Sequence, residues 1–116
     1  MQPDPRPKRV LLDACMPHDL RHELGEFEVQ TARHARLENL DDGPLLNAMA
    51  ASFDVLITAD KNLPLQHNIA ARPIAVIVVR TLHNLISELL PLVPEIKAAL
   101  AGIGHGEVRV IKSSDA

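Results

Sequence analysis

The sequence predicts an α/β domain, with an open and mainly parallel sheet of about five strands flanked by helices. Apolar runs without polar alternation recur at Val10-Leu11-Leu12, Val55-Leu56-Ile57 and Ile74-Ala75-Val76-Ile77-Val78-Val79. Such runs read as strands buried on both faces, which belong to parallel sheets covered by helices. Helix-like stretches opened by Asp, Gly or Pro separate them. With 116 residues the chain fits one domain, large enough for a core without metal or disulfide staples.

The elements follow in order. Residues 1–8 contain three prolines and read as a flexible lead-in, residues 9–112 as the domain, and residues 113–116 as a tail. After the first strand, Met16-Pro17 starts a short helix, because Pro17 loses nothing in a first turn, and Gly25 ends it. Residues 26–32 alternate like a strand. Asp41-Asp42-Gly43-Pro44 resembles a helix start, and residues 45–52 supply small and apolar residues for packing. The strand ending at Asp60 leads through a short irregular or helical stretch, residues 63–71, into the strongest buried strand, residues 73–80. Residues 84–100 look helical but carry Pro91 and Pro94, so a break is expected, with Pro94 opening a second segment. Gly102, Gly104 and Gly106 loosen the chain before a last strand at residues 107–111. The glycines precede a strand instead of opening a helix, so they form no nucleotide fingerprint. All crossovers are expected to be right-handed.

Composition narrows the function. Hydrophobic residues make up 47% and aromatic residues 2%, with no Trp or Tyr, so aliphatic side chains build the core and base stacking on aromatic platforms is disfavoured. A net charge of -3 argues against a protein that coats nucleic acid non-specifically, while permitting a local basic patch. The lone Cys15 excludes an intramolecular disulfide. Without a signal peptide or an apolar span of membrane length, a soluble cytoplasmic protein with no membrane partner is expected.

Two of the apolar runs end on aspartate, at Asp13 and Asp60. In open α/β sheets, ligands bind outside the carboxyl ends of the strands, where the strand order reverses. If these two strands are neighbours, the carboxylates face each other and repel unless a proton or cation sits between them. That favours a hard, oxygen-ligated metal such as Mg2+ or Mn2+. A purely structural role competes: Asp60 capping the turn into Asn62-Leu63-Pro64, and Asp13 capping the helix that starts at Pro17.

Leu11-Leu12-Asp13-Ala14-Cys15-Met16-Pro17, the segment from Leu56-Ile57-Thr58-Ala59-Asp60-Lys61-Asn62 through Pro64, Gln66 and Asn68, and Leu92-Val93-Pro94 together resemble the compact PIN-like proteins of bacteria. The resemblance spans residues 9–111 and is most specific at residues 58–68. It implies a single three-layer PIN-like domain and kinship with metal-dependent ribonucleases, including toxins of toxin-antitoxin pairs. It also implies RNA as substrate, a small helix-turn-helix antitoxin as partner, and pairing into a homodimer. On that likeness Asp13 and Asp60 bind Mg2+ or Mn2+, Asn62 completes the cradle, and Gln66 and Asn68 lie close by. Two acids common in such relatives are replaced here by Ala14 and Pro44; Asp42, from a preceding loop, is the candidate third acid. Lys61 and Arg80, both at strand ends on one sheet edge, are candidates for a phosphate clamp.

Other features carry weaker expectations. His18 and His22, four apart with Glu23 nearby, have a zinc-compatible spacing, but neither flank matches a zinc motif and a solvated helix face is the favoured reading. His67 is the histidine closest in sequence to the site loop. Cys15 lacks a His and acid pair to activate it and reads as a small buried hydrophobe. A degenerate PIN-like module that binds without cleaving is one alternative. Another is a phosphoacceptor domain similar to response-regulator receivers, with Asp13, Asp60, Thr81 and Lys112 in the corresponding order. Against it, about ten residues between Asn62 and Pro73 are too few for a full crossover helix.

Overall fold

The computed structural model describes residues 8–116. Five strands, β1 (Arg9–Leu12), β2 (Glu28–Thr31), β3 (Val55–Thr58), β4 (Ala75–Arg80) and β5 (Val108–Lys112), form one sheet in the order β2-β1-β3-β4-β5. Every neighbouring pair is parallel, as the unalternated apolar runs require. The α-helices are α1 (Asp42–Met49), α2 (Leu63–Gln66), α3 (Ile86–Leu89) and α4 (Val93–Gly102).

Helices cover both faces of the sheet because successive strand side chains point to opposite sides. Val10, Leu12, Val55, Ile57, Ile77 and Val79 join one core with Leu20, Leu24, Leu89, Ile96 and Leu100. Leu11, Leu56, Val76 and Val78 join the other with Leu45, Leu46, Met49, Leu63 and Ile69. Each of these buried aliphatic side chains contributes about 1.5–3 kcal/mol relative to exposure, so the core does without aromatic bulk.

Local chemistry sets the helix boundaries. Asp41 takes the extended N-cap backbone of α1, and Pro44 falls in the first turn, where its missing amide hydrogen has no partner to lose. The proline-bearing stretch breaks as expected into α3, a 3-10 turn at Leu90–Leu92 containing Pro91, and α4 with Pro94 near its start. Gly106 sits at φ +86, and a Cβ there would lie 3.1 Å from the Ala70 carbonyl oxygen. Only glycine suits that approach.

Four expectations change. The first helix is a 3-10 helix, His18–Leu24, with about three residues per turn, so His18 and His22 do not share a face and the zinc spacing dissolves. The chain steps from β1 to β2 in one direction on the first core's face. It returns through α1 and α2 on the opposite face, and then crosses from β4 to β5 by α3 and α4 on the first face again. The β4–β5 crossover therefore has the opposite hand to the other three, and the four cannot all be right-handed. Its long connection reaches the face that the short 3-10 helix leaves uncovered. Of the lead-in, residues 1–7 lie outside the described residues, while Lys8 is anchored: its Nζ donates to the Ile103 carbonyl at 2.7 Å and to that of Leu100. Cys15 is exposed and is no core hydrophobe.

No helix among the described residues is long and apolar enough to cross a membrane. Leu82, Leu85 and Leu90 remain exposed beside the packed face of α3 and α4.

At the amino edge of the sheet, Asp54 Oδ2 accepts the Arg9 amide at 2.9 Å and Asp54 Oδ1 pairs with the Arg9 guanidinium at 3.2 Å. Burial alone raises the Asp54 pKa, but the hydrogen bonds and charge of Arg9 outweigh it and hold the carboxyl below the usual 3.8. A depressed folded pKa stabilises the fold above the unfolded value, and that contribution is lost as pH falls through the folded one. Asp54→Asn is therefore expected to lower Tm at about pH 7, with the gap to wild type closing in thermal denaturation as pH falls below 3.8 and through the depressed folded value.

Candidate functional site

β1 and β3 are neighbours, with Leu12 opposite Ile57, and the Asp13 amide continues their pairing by donating to the Ile57 carbonyl at 2.9 Å. From β1 the chain goes one way to β2, and from β3 the other way to β4 and β5. The topological switch point thus lies between the strands that end in Asp13 and Asp60.

Thr58, the last residue of β3, joins the two aspartates. It is fully buried, and its hydroxyl donates to Asp13 Oδ2 at 2.7 Å while accepting the Asp60 amide at 3.1 Å. A hydroxyl has one hydrogen, so these two bonds assign it completely, and the bond to the carboxylate is charge-assisted. Asp13 Oδ1 accepts the Ala14 amide at 2.8 Å, so this side chain is turned back on the sheet edge. It does not cap the 3-10 helix, whose N-cap Pro17 receives no side-chain bond. Asp60 does cap its turn, since Oδ1 accepts the Asn62 amide at 2.9 Å. The capping role and a ligand role coexist, because each carboxylate oxygen has a second lone pair.

Asp42 completes the acidic group. It is the first residue of α1 and belongs to the helix, not to a loop before it. Its carboxyl pKa is raised by burial, then by the charges of Asp60 and Asp13, with His67 pulling the other way. His67 is half-buried, and its Cε1 lies 3.6 Å from where a Cβ on Gly43 would be, which seats the ring against the start of α1. Among the described residues, Asp13, Asp42 and Asp60 form no ion pair with Lys, Arg or His. Among the described residues, His67 is the group that opposes their mutual repulsion, from beside Asp42.

Among the described residues, no three His, Cys, Asp or Glu side chains stand close enough to cage a metal unaided. An ion that takes one or two carboxylates and keeps several waters, as Mg2+ does, would not need such a cage. Cys15 Sγ lies 3.6 Å from Asp13 Oδ2 and 3.7 Å from Thr58 Oγ1. Burial raises the thiol pKa; the Ala59 backbone opposes that and the Asp13 charge adds to it, so Cys15 is a neutral thiol and no nucleophile at pH 7.

The remaining candidates lie around this centre. Lys61 and Asn62 are exposed on the turn after β3, and the Asn62 carbonyl accepts the Leu65 and Gln66 amides, starting α2. Gln66 and Asn68 are exposed on either side of His67. Arg80 is half-buried at the end of β4, next to β3 on the same sheet edge as Lys61. Of the other histidines, His83 pairs with Glu88 at 3.7 Å, and His105 lies 3.8 Å from Asp54 at the far edge. Thr58 and Asn84 are the unexpected contributors. Asn84 has φ 54, and its Nδ2 donates to the Cys15 carbonyl at 2.7 Å, tying the β4 loop to the loop after Asp13. A lone hydroxyl closing an apolar strand two residues before an acid was the available signal for Thr58; nothing in sequence marks Asn84.

Thr58→Val keeps the shape and removes the hydroxyl. It is expected to cost about 1–3 kcal/mol in denaturant unfolding, whereas Thr58→Ser restores most of the loss. For Asp42, whose folded pKa is raised, the ionised form weakens the fold, so relative stability is lost as pH rises through that pKa. Asp42→Asn should raise Tm at about pH 7, and the gain should vanish below the ordinary carboxyl value of 3.8. Comparison of the chain with protein-family models, curated proteins and solved structures gives no match.

Proposed function

We propose that this chain is a PIN-like, metal-dependent ribonuclease. The observation that carries the proposal is the Thr58-bridged pair Asp13 and Asp60 at the switch point, with Asp42 close enough to feel both charges. Mg2+ or Mn2+ bound there supplies a water of lowered pKa and neutralises charge on the scissile phosphate. Asp13, held at Oδ1 by the Ala14 amide and at Oδ2 by the Thr58 hydroxyl, and Asp60, held at Oδ1 by the Asn62 amide, would bind the ion through the lone pairs that remain. Asp42 retains a proton more readily than an ordinary aspartate and has His67 beside it, which suits it to accept a proton from the attacking water. Asn62 orients an outer water, Lys61 and Arg80 clamp the phosphate, and Gln66 and Asn68 contact the RNA strand. On the resemblance the chain acts as the toxin of a pair restrained by a small helix-turn-helix protein, in the cytoplasm as expected from the sequence. The exposed Leu82, Leu85 and Leu90 favour a homodimer.

One observation favours a second reading. The order β2-β1-β3-β4-β5 is that of doubly wound receiver-type folds, and Thr81 and Lys112 lie at the carboxyl ends of β4 and β5. Against a phosphoacceptor role, the Thr81 hydroxyl is engaged by the Asn84 amide at 2.8 Å. Also, only the short α2 and the 3-10 turn Ile69–Ala71 link β3 to β4.

The deciding experiment is cleavage of a mixed single-stranded RNA pool with Mn2+ or Mg2+, comparing wild type with Asp13→Asn and Asp60→Asn. Metal-dependent cleavage by wild type alone, with both variants folded by circular dichroism, is the expected outcome. No cleavage, together with no rise in wild-type Tm on adding Mn2+, would leave a PIN-like binding module. Labelling of Asp60 by a small phosphodonor would establish the receiver-like alternative.

A further inference from the structure

A second site stands one strand away from the acids and carries the opposite charge. A cavity of about 410 Å³, open to solvent, is lined by His18, Arg21, Thr31, Arg33, His34 and Arg36. Three arginines and two histidines gather there in a chain whose net charge is -3, and no Asp or Glu lines the cavity. Among the described residues none of these side chains has an acidic partner. Such a concentration of unpaired positive charge is unfavourable in isolation, and an anion relieves it.

The support for these side chains is rigid. Thr31, the buried last residue of β2, accepts the His34 amide on its hydroxyl at 3.1 Å and the Ala35 amide on its carbonyl at 3.0 Å. The turn closes with the Leu37 amide on the Ala32 carbonyl at 2.8 Å. That closure places Arg36 at φ 61, in left-handed backbone where glycine is favoured and a long side chain is strained. An arginine at the position best suited to glycine, facing two other arginines, points to a use for its guanidinium.

The cavity adjoins the acidic centre. Thr31 pairs with Leu12 across the β2–β1 ladder, and the Ala32 amide donates to the Leu12 carbonyl at 2.8 Å, one residue before Asp13. Adjacent strands are about 4.8 Å apart, within the span of neighbouring phosphates on a single strand. No Phe, Tyr or Trp lines the cavity, so its three arginines favour contacts to phosphate over an aromatic platform for bases, with His18 and His34 as its only rings.

We infer that the cleft formed by Arg21, Arg33 and Arg36 binds phosphate groups of a single-stranded nucleic acid backbone, irrespective of sequence. The choice of nucleic acid rests on the ribonuclease reading; the affinity for phosphate does not. Both arms of the test run in EDTA, so a protein that cleaves nothing still tests the cleft.

Binding of a fluorescent oligouridine of about twelve nucleotides is followed by anisotropy across a salt series. Three phosphate contacts to a single strand predict a slope of log affinity against log salt near about -2. Arg33→Ala and Arg36→Gly should each weaken binding by about tenfold and flatten that slope by about 0.7. Arg36→Gly relieves the backbone strain, so its Tm should match or exceed that of wild type, which separates lost contact from lost fold. Uridine monophosphate as competitor identifies the source of the phosphate. Displacement only at far higher concentration supports a bound chain, and displacement at equal concentration supports the cleft with a small phosphate ester as its ligand. Absence of oligouridine binding, or binding unchanged in both arginine variants, would overturn the inference.

Discussion

The parallel pairing of β1 with β3 is the constraint on which the rest of this structure depends. It sets Leu12 opposite Ile57, makes these central strands, and turns the chain in opposite directions on either side of them. Two buried faces follow, each closed by its own helices. Because the pairing runs to the Asp13 amide, it also delivers Asp13 within reach of the Thr58 hydroxyl. One buried hydroxyl then orients a carboxylate from one strand and a backbone amide from the loop of the other. A fully buried polar group of this kind is tolerated only because both of its bonds are made.

The two edges of the sheet solve the same electrostatic problem differently. At the amino edge, Asp54 is matched by Arg9 through backbone and guanidinium bonds, and its ionised form is favoured. At the carboxyl edge, Asp13, Asp42 and Asp60 lack such partners among the described residues, and the ionised form of Asp42 is disfavoured. The arginines that would neutralise them stand apart, around the turn after β2. Stability alone would have paired these charges. Keeping acids and arginines on adjacent parts of one edge makes a surface with a negative centre and a positive flank, the charge pattern on which the proposed metal and phosphate sites rest.

Much of the element pattern was legible in the sequence, because burial on both faces writes itself as unbroken aliphatic runs and because proline and glycine mark ends. β3, β4 and the start of α1 at Asp41-Asp42-Gly43-Pro44 are cases of this kind. The first helix falls where Pro17 and Gly25 place it, but its 3-10 type was not legible: 3-10 and α-helices share the same start signals, and seven residues are too few to show the period. The candidate site was half legible. Asp13 and Asp60 follow their strands visibly, and Asp42 was visible as a nearby acid. Thr58 looked like one more residue of a buried run, and no local pattern joined Arg21 to Arg33 and Arg36.

The sequence by itself determined that this chain builds five short strands separated by helices, that the three central ones are buried, and that two of those three run into aspartate. These properties are local, written in side-chain polarity at spacings of a few residues. The tertiary structure decided the strand order, the reversed hand of the last crossover, the hydroxyl bridge between Asp13 and Asp60, and the meeting of Arg21 with Arg33 and Arg36. Each of these joins residues far apart in sequence or depends on which face a helix packs. Such choices are set by packing of the whole core, which no local run of residues encodes.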